Sequence, residues 1–154
     1  MSLVIGIGTN IGNRIENLKR AKVLLEKHFE LIAESRIYKS EAEDYENQPY
    51  FFNQVLEFTF TDMDEETLMK LLLSLEDQMG RERIIDKGPR IIDIDLLFLG
   101  DKKVKKDIVE IPHPRLFDRS FVIKPLADLP CFEDLNKLYQ FKKNFENIAV
   151  PIGI

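Results

Sequence analysis

The sequence has one cysteine, no tryptophan and no hydrophobic run near the ~20 residues that a bilayer-spanning helix needs. A single thiol, Cys131, has no partner for an internal disulfide, which fits a reducing compartment. It follows Pro130 with no nucleophile-and-base pattern beside it, so it reads as a passive residue. A surplus of positive charge is also lacking: 22 Lys and Arg stand against 27 Asp and Glu, a net charge of −5. That balance argues against a general nucleic-acid or membrane-surface binder, and any basic site has to be local. The N-terminus offers neither a charged region nor a cleavage motif, so no secretion signal is read there and the expectation is a cytoplasmic protein. Internal repeats and low-complexity linkers are missing too. What remains is 154 residues, 44% hydrophobic and 32% charged, enough for one domain over residues 1–154 with a substantial core.

Periodicity gives the order of elements. "LVIGIG", from Leu3 to Gly8, is a short β-branched run ended by glycine and reads as an internal strand. "TNIGNR" then turns the chain into a helix running to about His28, with Leu18, Ala21, Leu25 and either His28 or Phe29 on one stripe. Leu31 to Tyr38 reads as a second strand. Phe51 to Thr61 reads as a third, with Phe52, Leu56, Phe58 and Phe60 on one face. The polar stretch "KSEAEDYENQPY" between them is longer than a plain hairpin needs, the mark of a functional loop. A second helix follows: Asp62 and Glu65 are spaced as a capping box, Leu68, Leu71, Leu72, Leu75 and Met79 form its stripe, and Gly80 stops it. "RERIIDK" is a basic loop into a fourth strand. This β-α-β-β-α-β order is that of an α+β ferredoxin-like plait, with two helices on one face of an antiparallel sheet. A C-terminal extension begins near Lys102, and its "DRSFVIKPLADL" is helical around Pro125.

The fourth strand carries the unusual chemistry. "GPRIIDIDLLFLG" is apolar except for Asp93 and Asp95. Alternation sends Ile92, Ile94, Leu96 and Phe98 under the helices, and Asp93, Asp95, Leu97 and Leu99 to the other face. Residues two apart on a strand are about 6.5–7 Å apart, so the two carboxylates repel unless a cation lies beside them. That cation is either an arginine of the protein or a hard divalent ion such as Mg²⁺, which takes one or two carboxylates plus waters and phosphate oxygens. Arg81, Arg83, Lys87 and Arg90 precede the pair in this acidic chain, and Arg115 and Arg119 follow His113. Arginine forks match phosphate oxygens, so the grouping suits polyphosphate chemistry. Gly6, Gly8 and Gly12 fit neither a P-loop nor a dinucleotide fingerprint, and are read as sites of close backbone approach or a tight turn.

Four stretches together, "GTNIGNR", "NQPYFFNQV", "LEDQMGRERIIDKGPRIIDIDLLFLG" and "IPHPRLFDRSFVIKPLADL", resemble the 6-hydroxymethyl-7,8-dihydropterin pyrophosphokinases of folate biosynthesis, to about residue 130. The resemblance implies a ferredoxin-like fold, a monomer, and transfer of pyrophosphate from ATP to the pterin's hydroxymethyl oxygen with release of AMP. It implies Asp93 and Asp95 as ligands of Mg²⁺, two ions in all. Arg81 and Arg90 join these aspartates as the catalytic group. It further implies Glu76, Arg83, His113 and Arg119 at the ATP, where Lys87 of the same basic loop adds a charge contact to phosphate, and Ser40, Phe51, Asn53, Phe121 and Asp93 at the pterin. Phe51 and Phe121 would sandwich the ring, and Asn53 would read its edge.

The chain departs from the family pattern in its loops. Residues 39–44 lack the proline and glycine usual after the tyrosine, and Lys87 stands where a tryptophan is common. Residues 41–48 and 82–88 are expected to be mobile without ligands. Two other readings remain: a ligand-binding or regulatory module on the same fold, and a metal-dependent nuclease. An RNA-binding module would need strand aromatics that "LVIGIG" does not offer.

Overall fold

The structure is a computed structural model that describes residues 1–43, 47–82 and 89–153. Its centre is an antiparallel sheet. β1 (Ser2–Thr9) lies between β5 (Asp93–Leu99) and β4 (Phe51–Thr59), and β4 pairs on its far side with β2 (Leu31–Glu34) and β3 (Tyr38–Ser40). A last strand, β8 (Val150–Pro151), adds to β3 at the edge. β6 (Val104–Lys105) and β7 (Glu110–Ile111) form a separate hairpin.

The expected second strand is broken in two. Ser35 interrupts it because its hydroxyl accepts the Val55 amide, and its own carbonyl takes the Gln54 side-chain amide. The ladder resumes only at Tyr38.

Helices α1 (Arg14–Glu26) and α2 (Glu65–Gln78) cover one face of the sheet. Asn13 caps α1 by accepting the Glu16 amide, and Gly12, at φ +70°, makes the turn before it. Leu18, Ala21 and Leu25 are buried, and Phe29 rather than His28 completes the stripe. The cap of α2 is Asp64, which accepts the Thr67 amide, and not Asp62. Asp64 directly precedes the first helical residue, where a carboxylate meets the orphan amides. Gly80 ends the helix at φ +85°. Leu68, Leu72, Leu75 and Met79 pack with Leu3, Ile5, Ile7, Leu56 and Phe58 in the main core. Phe60 lies past the end of β4 and is exposed.

The other face is only half open. α3 (Ser120–Leu126) and α4 (Phe132–Tyr139) cover one end of it in a second cluster with Val4, Val55, Leu97 and Phe98. Phe98 and Leu99 have exchanged the faces that alternation assigns them. The register steps from Val4↔Phe98 to Ile5↔Leu96, so Leu97 is one residue too many and the pleat reverses beyond it. Cys131 sits near this cluster. Burial and the Glu57 carboxylate push its thiol up to about 12, in keeping with a passive role. Among the described residues no helix is long and apolar enough to cross a membrane.

The position of the α2 cap is directly testable. Asp64→Ala should lower the thermal midpoint measurably while Asp62→Ala leaves it unchanged, as read by circular dichroism; the opposite ranking would reassign the cap.

Candidate active site

The uncovered half of the second face holds a cavity of about 250 Å³. Its floor is the stretch of β1 where Gly6 and Gly8 stand opposite Asp95 and Asp93 on one side and Val55 and Asn53 on the other. The glycines are needed for close approach. A Cβ on Gly8 would lie 3.0 Å from Asn53 Oδ1, and one on Gly6 would lie 3.2 Å from Leu97 Cδ1. Both aspartates line the cavity, ahead of the Leu97 bulge, so the alternation that predicted their shared face holds where it matters.

The two carboxylates are answered differently. Arg81 Nη1 donates to Asp93 Oδ1 at 3.1 Å, and Arg90 Nη1 lies 3.4 Å from Oδ2. Arg81 is itself held by Glu76, whose Oε2 accepts from it at 2.7 Å and from the Ile94 amide at 2.7 Å. β5 is an edge strand, and Glu76, only 2% exposed, reaches round from α2 to take its outward N–H. Glu76 and Arg81 are therefore not among the residues lining the cavity; they fix Asp93 from behind.

Asp95, by contrast, has no side-chain hydrogen bond or ion pair among the described residues. Burial raises its pKa well above the usual carboxylate range. Asp93 and Glu76 push the same way, and Arg119 and Arg81 offset only part of it.

Cations gather at the opposite wall. The Leu97 carbonyl, on the bulged residue, accepts the His113 amide at 3.1 Å and so ties His113 to the sheet. Burial, then Arg119, lower the His113 pKa to about 4, against the opposing pull of Asp93. Its Nδ1 accepts the Arg115 amide at 3.3 Å, which leaves Nε2 to carry the proton of the neutral ring. Arg119 lies over the Phe121 ring and Arg90 over the Phe51 ring, at 5.4 and 5.3 Å. Glu43 reaches in from the polar loop, and its Oε1 accepts from both Arg115 and Arg119. Phe51, Phe121 and Asn53 line the cavity as well. Asn53 Nδ2 donates to Ser40 Oγ at 2.8 Å and lies 3.4 Å from the Tyr38 carbonyl. Its Oδ1 is left facing Gly8.

The structure thus brings together Ser40, Phe51, Asn53, Arg90, Asp93, Asp95, His113, Arg119 and Phe121 around one cavity. Arg83 and Lys87 lie outside the described residues, as do residues 44–46 and 83–88 of the segments 41–48 and 82–88 expected to be mobile.

Sequence reasoning missed two residues. One is Glu43, hidden in a loop whose composition looks merely solvated. The other is Asn10, whose Oδ1 accepts the Arg90 amide while its Nδ2 donates to Gln48 and the Pro49 carbonyl, bracing both loops. A polar residue at a strand's end was the only available signal for it.

A divalent cation fits this donor set. No group of three or more His, Cys, Asp or Glu is placed to share a metal among the described residues. Mg²⁺ asks for fewer, since phosphate oxygens and waters fill its shell.

Two predictions follow from the charges. A folded pKa above the unfolded one means stability that is lost as pH rises, so at neutral pH the Asp95 carboxylate opposes folding of the free protein. Asp95→Asn should therefore raise the thermal midpoint at pH 7, and a lowered midpoint would contradict the assignment. For His113 the sign is reversed: stability is complete above about 6.5 and lost as pH falls toward 4. Its ring proton resonance should titrate near pH 4 in the free protein; a midpoint near 6.5 would place it in open solvent.

Comparison with known proteins gives one consistent answer. Residues 4–130 match the family described as 7,8-dihydro-6-hydroxymethylpterin-pyrophosphokinase. The 2-amino-4-hydroxy-6-hydroxymethyldihydropteridine pyrophosphokinase of Bacillus subtilis is 34% identical over 127 residues, 81% of this chain and 75% of that protein. The enzyme of the same name from Aquifex aeolicus is 34% identical over 128 residues, 83% of this chain and 79% of that protein. The Pneumocystis carinii folic acid synthesis protein fol1 is 38% identical over 129 residues, 83% of this chain but only 17% of its own length. The chain thus spans about a sixth of that longer relative. A solved HPPK-DHPS in complex with substrates shares the fold, with a TM-score of 0.62 at 14% identity over 94% of this chain and 41% of that one. The chain belongs to the 7,8-dihydro-6-hydroxymethylpterin-pyrophosphokinase family.

Proposed function

We propose that this chain transfers pyrophosphate from ATP to the hydroxymethyl group of 6-hydroxymethyl-7,8-dihydropterin, giving AMP and the pterin pyrophosphate for folate synthesis. The observation that carries the reading is one cavity lined both by a carboxylate pair, arginines and His113 and by Asn53, Phe51 and Phe121. That is a polyphosphate seat beside a seat for a flat heterocycle. Family membership supplies the identity of the reaction.

In this reading the pterin ring lies between Phe51 and Phe121, and Asn53 Oδ1 accepts from the ring's N–H edge. Ser40 holds the amide in that orientation. The hydroxymethyl oxygen forms a bond to the β-phosphorus as the bond from that phosphorus to the α,β-bridging oxygen breaks; AMP leaves and the hydroxyl proton passes to water. Arg90 and Arg119, with Arg83 and Lys87 in the basic loop, spread the negative charge, and Arg81 with Glu76 keeps Asp93 aimed. His113 is neutral at pH 7 and donates through Nε2 to a phosphate oxygen; with a pKa of about 4 it is a poor base. Asp93 and Asp95 are the residues that would hold Mg²⁺, two ions in all with the nucleotide's oxygens. When bound, that metal supplies charge neutralisation and alignment of the phosphates.

The strand order, with β1 between β5 and β4 and the two short strands beyond β4, supports naming the fold a ferredoxin-like plait with a C-terminal extension. We place the enzyme in the cytoplasm, as a monomer.

The test is direct. With ATP, Mg²⁺ and the reduced pterin, AMP should appear in step with pterin pyrophosphate, and Asp95→Ala should lose turnover by orders of magnitude while staying folded. Release of ADP in place of AMP would reject pyrophosphate transfer, and nucleotide binding without pterin-dependent AMP would replace it with a ligand-binding module.

A further inference from the structure

The family match stops at residue 130, yet the chain after it is tied into the site. Beyond α4 it runs back along α3 and ends as β8 on the edge of the sheet. Lys142 pairs with Asp118 at 2.8 Å, Lys124 Nζ reaches the Ala149 carbonyl at 3.3 Å, and the Ile152 amide donates to the Ile37 carbonyl at 2.9 Å.

In the middle of this return stands Asn147. Its Oδ1 accepts the Ser120 amide at 2.8 Å, and its Nδ2 donates to the Asp118 carbonyl at 2.9 Å. Those two groups bracket Arg119, and Ser120 is followed by Phe121. Arg119 and Phe121 both line the cavity, and the resemblance assigns the first to the nucleotide and the second to the pterin.

α3 has no side-chain cap of its own: the residue before it is Arg119, whose guanidinium is turned to Glu43 and the Phe121 ring. A helix entry that spends its capping position on a ligand-binding arginine leaves an amide to be satisfied from elsewhere. Ser120 is wholly buried, so water cannot supply that partner.

We infer that Asn147 is a positioning residue for the transfer reaction, a cap lent by the C-terminal tail that sets where Arg119 and Phe121 enter the cavity. This rests on the pyrophosphokinase reading and extends it to a segment outside the family match. Asn147 touches neither substrate. Its two hydrogen bonds fix the backbone on both sides of Arg119, and β8, pinned to β3 beside Ser40, anchors the tail to the pterin wall of the same cavity.

The experiment compares wild type, Asn147→Ala and Asn147→Asp in steady-state AMP formation and in amide hydrogen exchange of the free proteins. Asn147→Ala should raise KM for both ATP and the pterin about tenfold, the loss expected for one or two buried hydrogen bonds, with a smaller change in kcat. A residue that only supports folding would lower the active fraction and leave both KM values where they were. Asn147→Asp keeps the acceptor for Ser120 but loses the donor to the Asp118 carbonyl, so its Ser120 amide should stay protected; a Ser120 amide that exchanges as fast as in the alanine variant would overturn the inference. Exchange of the Ser120 amide should quicken about tenfold in Asn147→Ala while the β1 and β4 amides stay protected, which reads the brace without turnover. If wild type forms no pterin-dependent AMP, the pyrophosphokinase reading fails and the exchange result still decides the brace. Unchanged exchange at Ser120 overturns it. Should the alanine variant not fold, the aspartate variant and the wild-type exchange rate carry the same decision, since a Ser120 amide that exchanges freely in wild type has no cap.

Discussion

A carboxylate kept from water is tolerated only when something positive compensates it, and the two aspartates of β5 meet that demand in unequal ways. Asp93 is held by Arg81 and Arg90, with Glu76 fixing Arg81 in turn. Asp95, two residues on and facing the same cavity, has no such partner among the described residues, and its burial raises its pKa. The arginine reading of the pair thus accounts for Asp93, while Asp95 keeps a carboxylate without an arginine partner among the described residues. The glycine floor, the bulge at Leu97 and the covered half of the sheet face all serve to keep Asp95 at the edge of a cavity rather than sealed in a core.

The opposite wall shows the complementary imbalance. Arg115 and Arg119 converge on one carboxylate, Glu43, delivered by a loop from the far side of the site. Glu43 stands where an anion is wanted, much as an unanswered Asp95 marks where a cation is wanted. A magnesium polyphosphate would satisfy both at once, as the proposed reaction requires. The same economy explains the helix α3, which gives its capping position to Arg119 and takes a cap from Asn147.

Much of this was legible in the sequence because period-two and helical patterns are local. The face shared by Asp93 and Asp95 and the helix stripes through Leu18 and Leu72 follow from spacing alone; the β1 glycines read as points of close backbone approach, while their place beneath Asn53 is set by the β1–β4 register. Phe98 and Leu99 were misassigned because a bulge depends on the partner strand's register, which the single strand does not encode. The split at Ser35 and the Asp64 cap turn on which side chain wins a particular amide, a contest between neighbours of equal propensity. Glu43 and Asn147 were unreadable for a different reason: each acts across 72 and 27 residues of chain respectively, in loops whose composition resembles any solvated surface.

The most direct measurement is a crystal structure of the protein with a non-hydrolysable ATP analogue and Mn²⁺ in place of Mg²⁺, read by the metal's anomalous signal. The account predicts metal between Asp95, Asp93 and the phosphate oxygens, with Arg119 turned from Glu43 to the nucleotide. A nucleotide bound with its metal away from Asp95, and Glu43 still seated on Arg115 and Arg119, would contradict it.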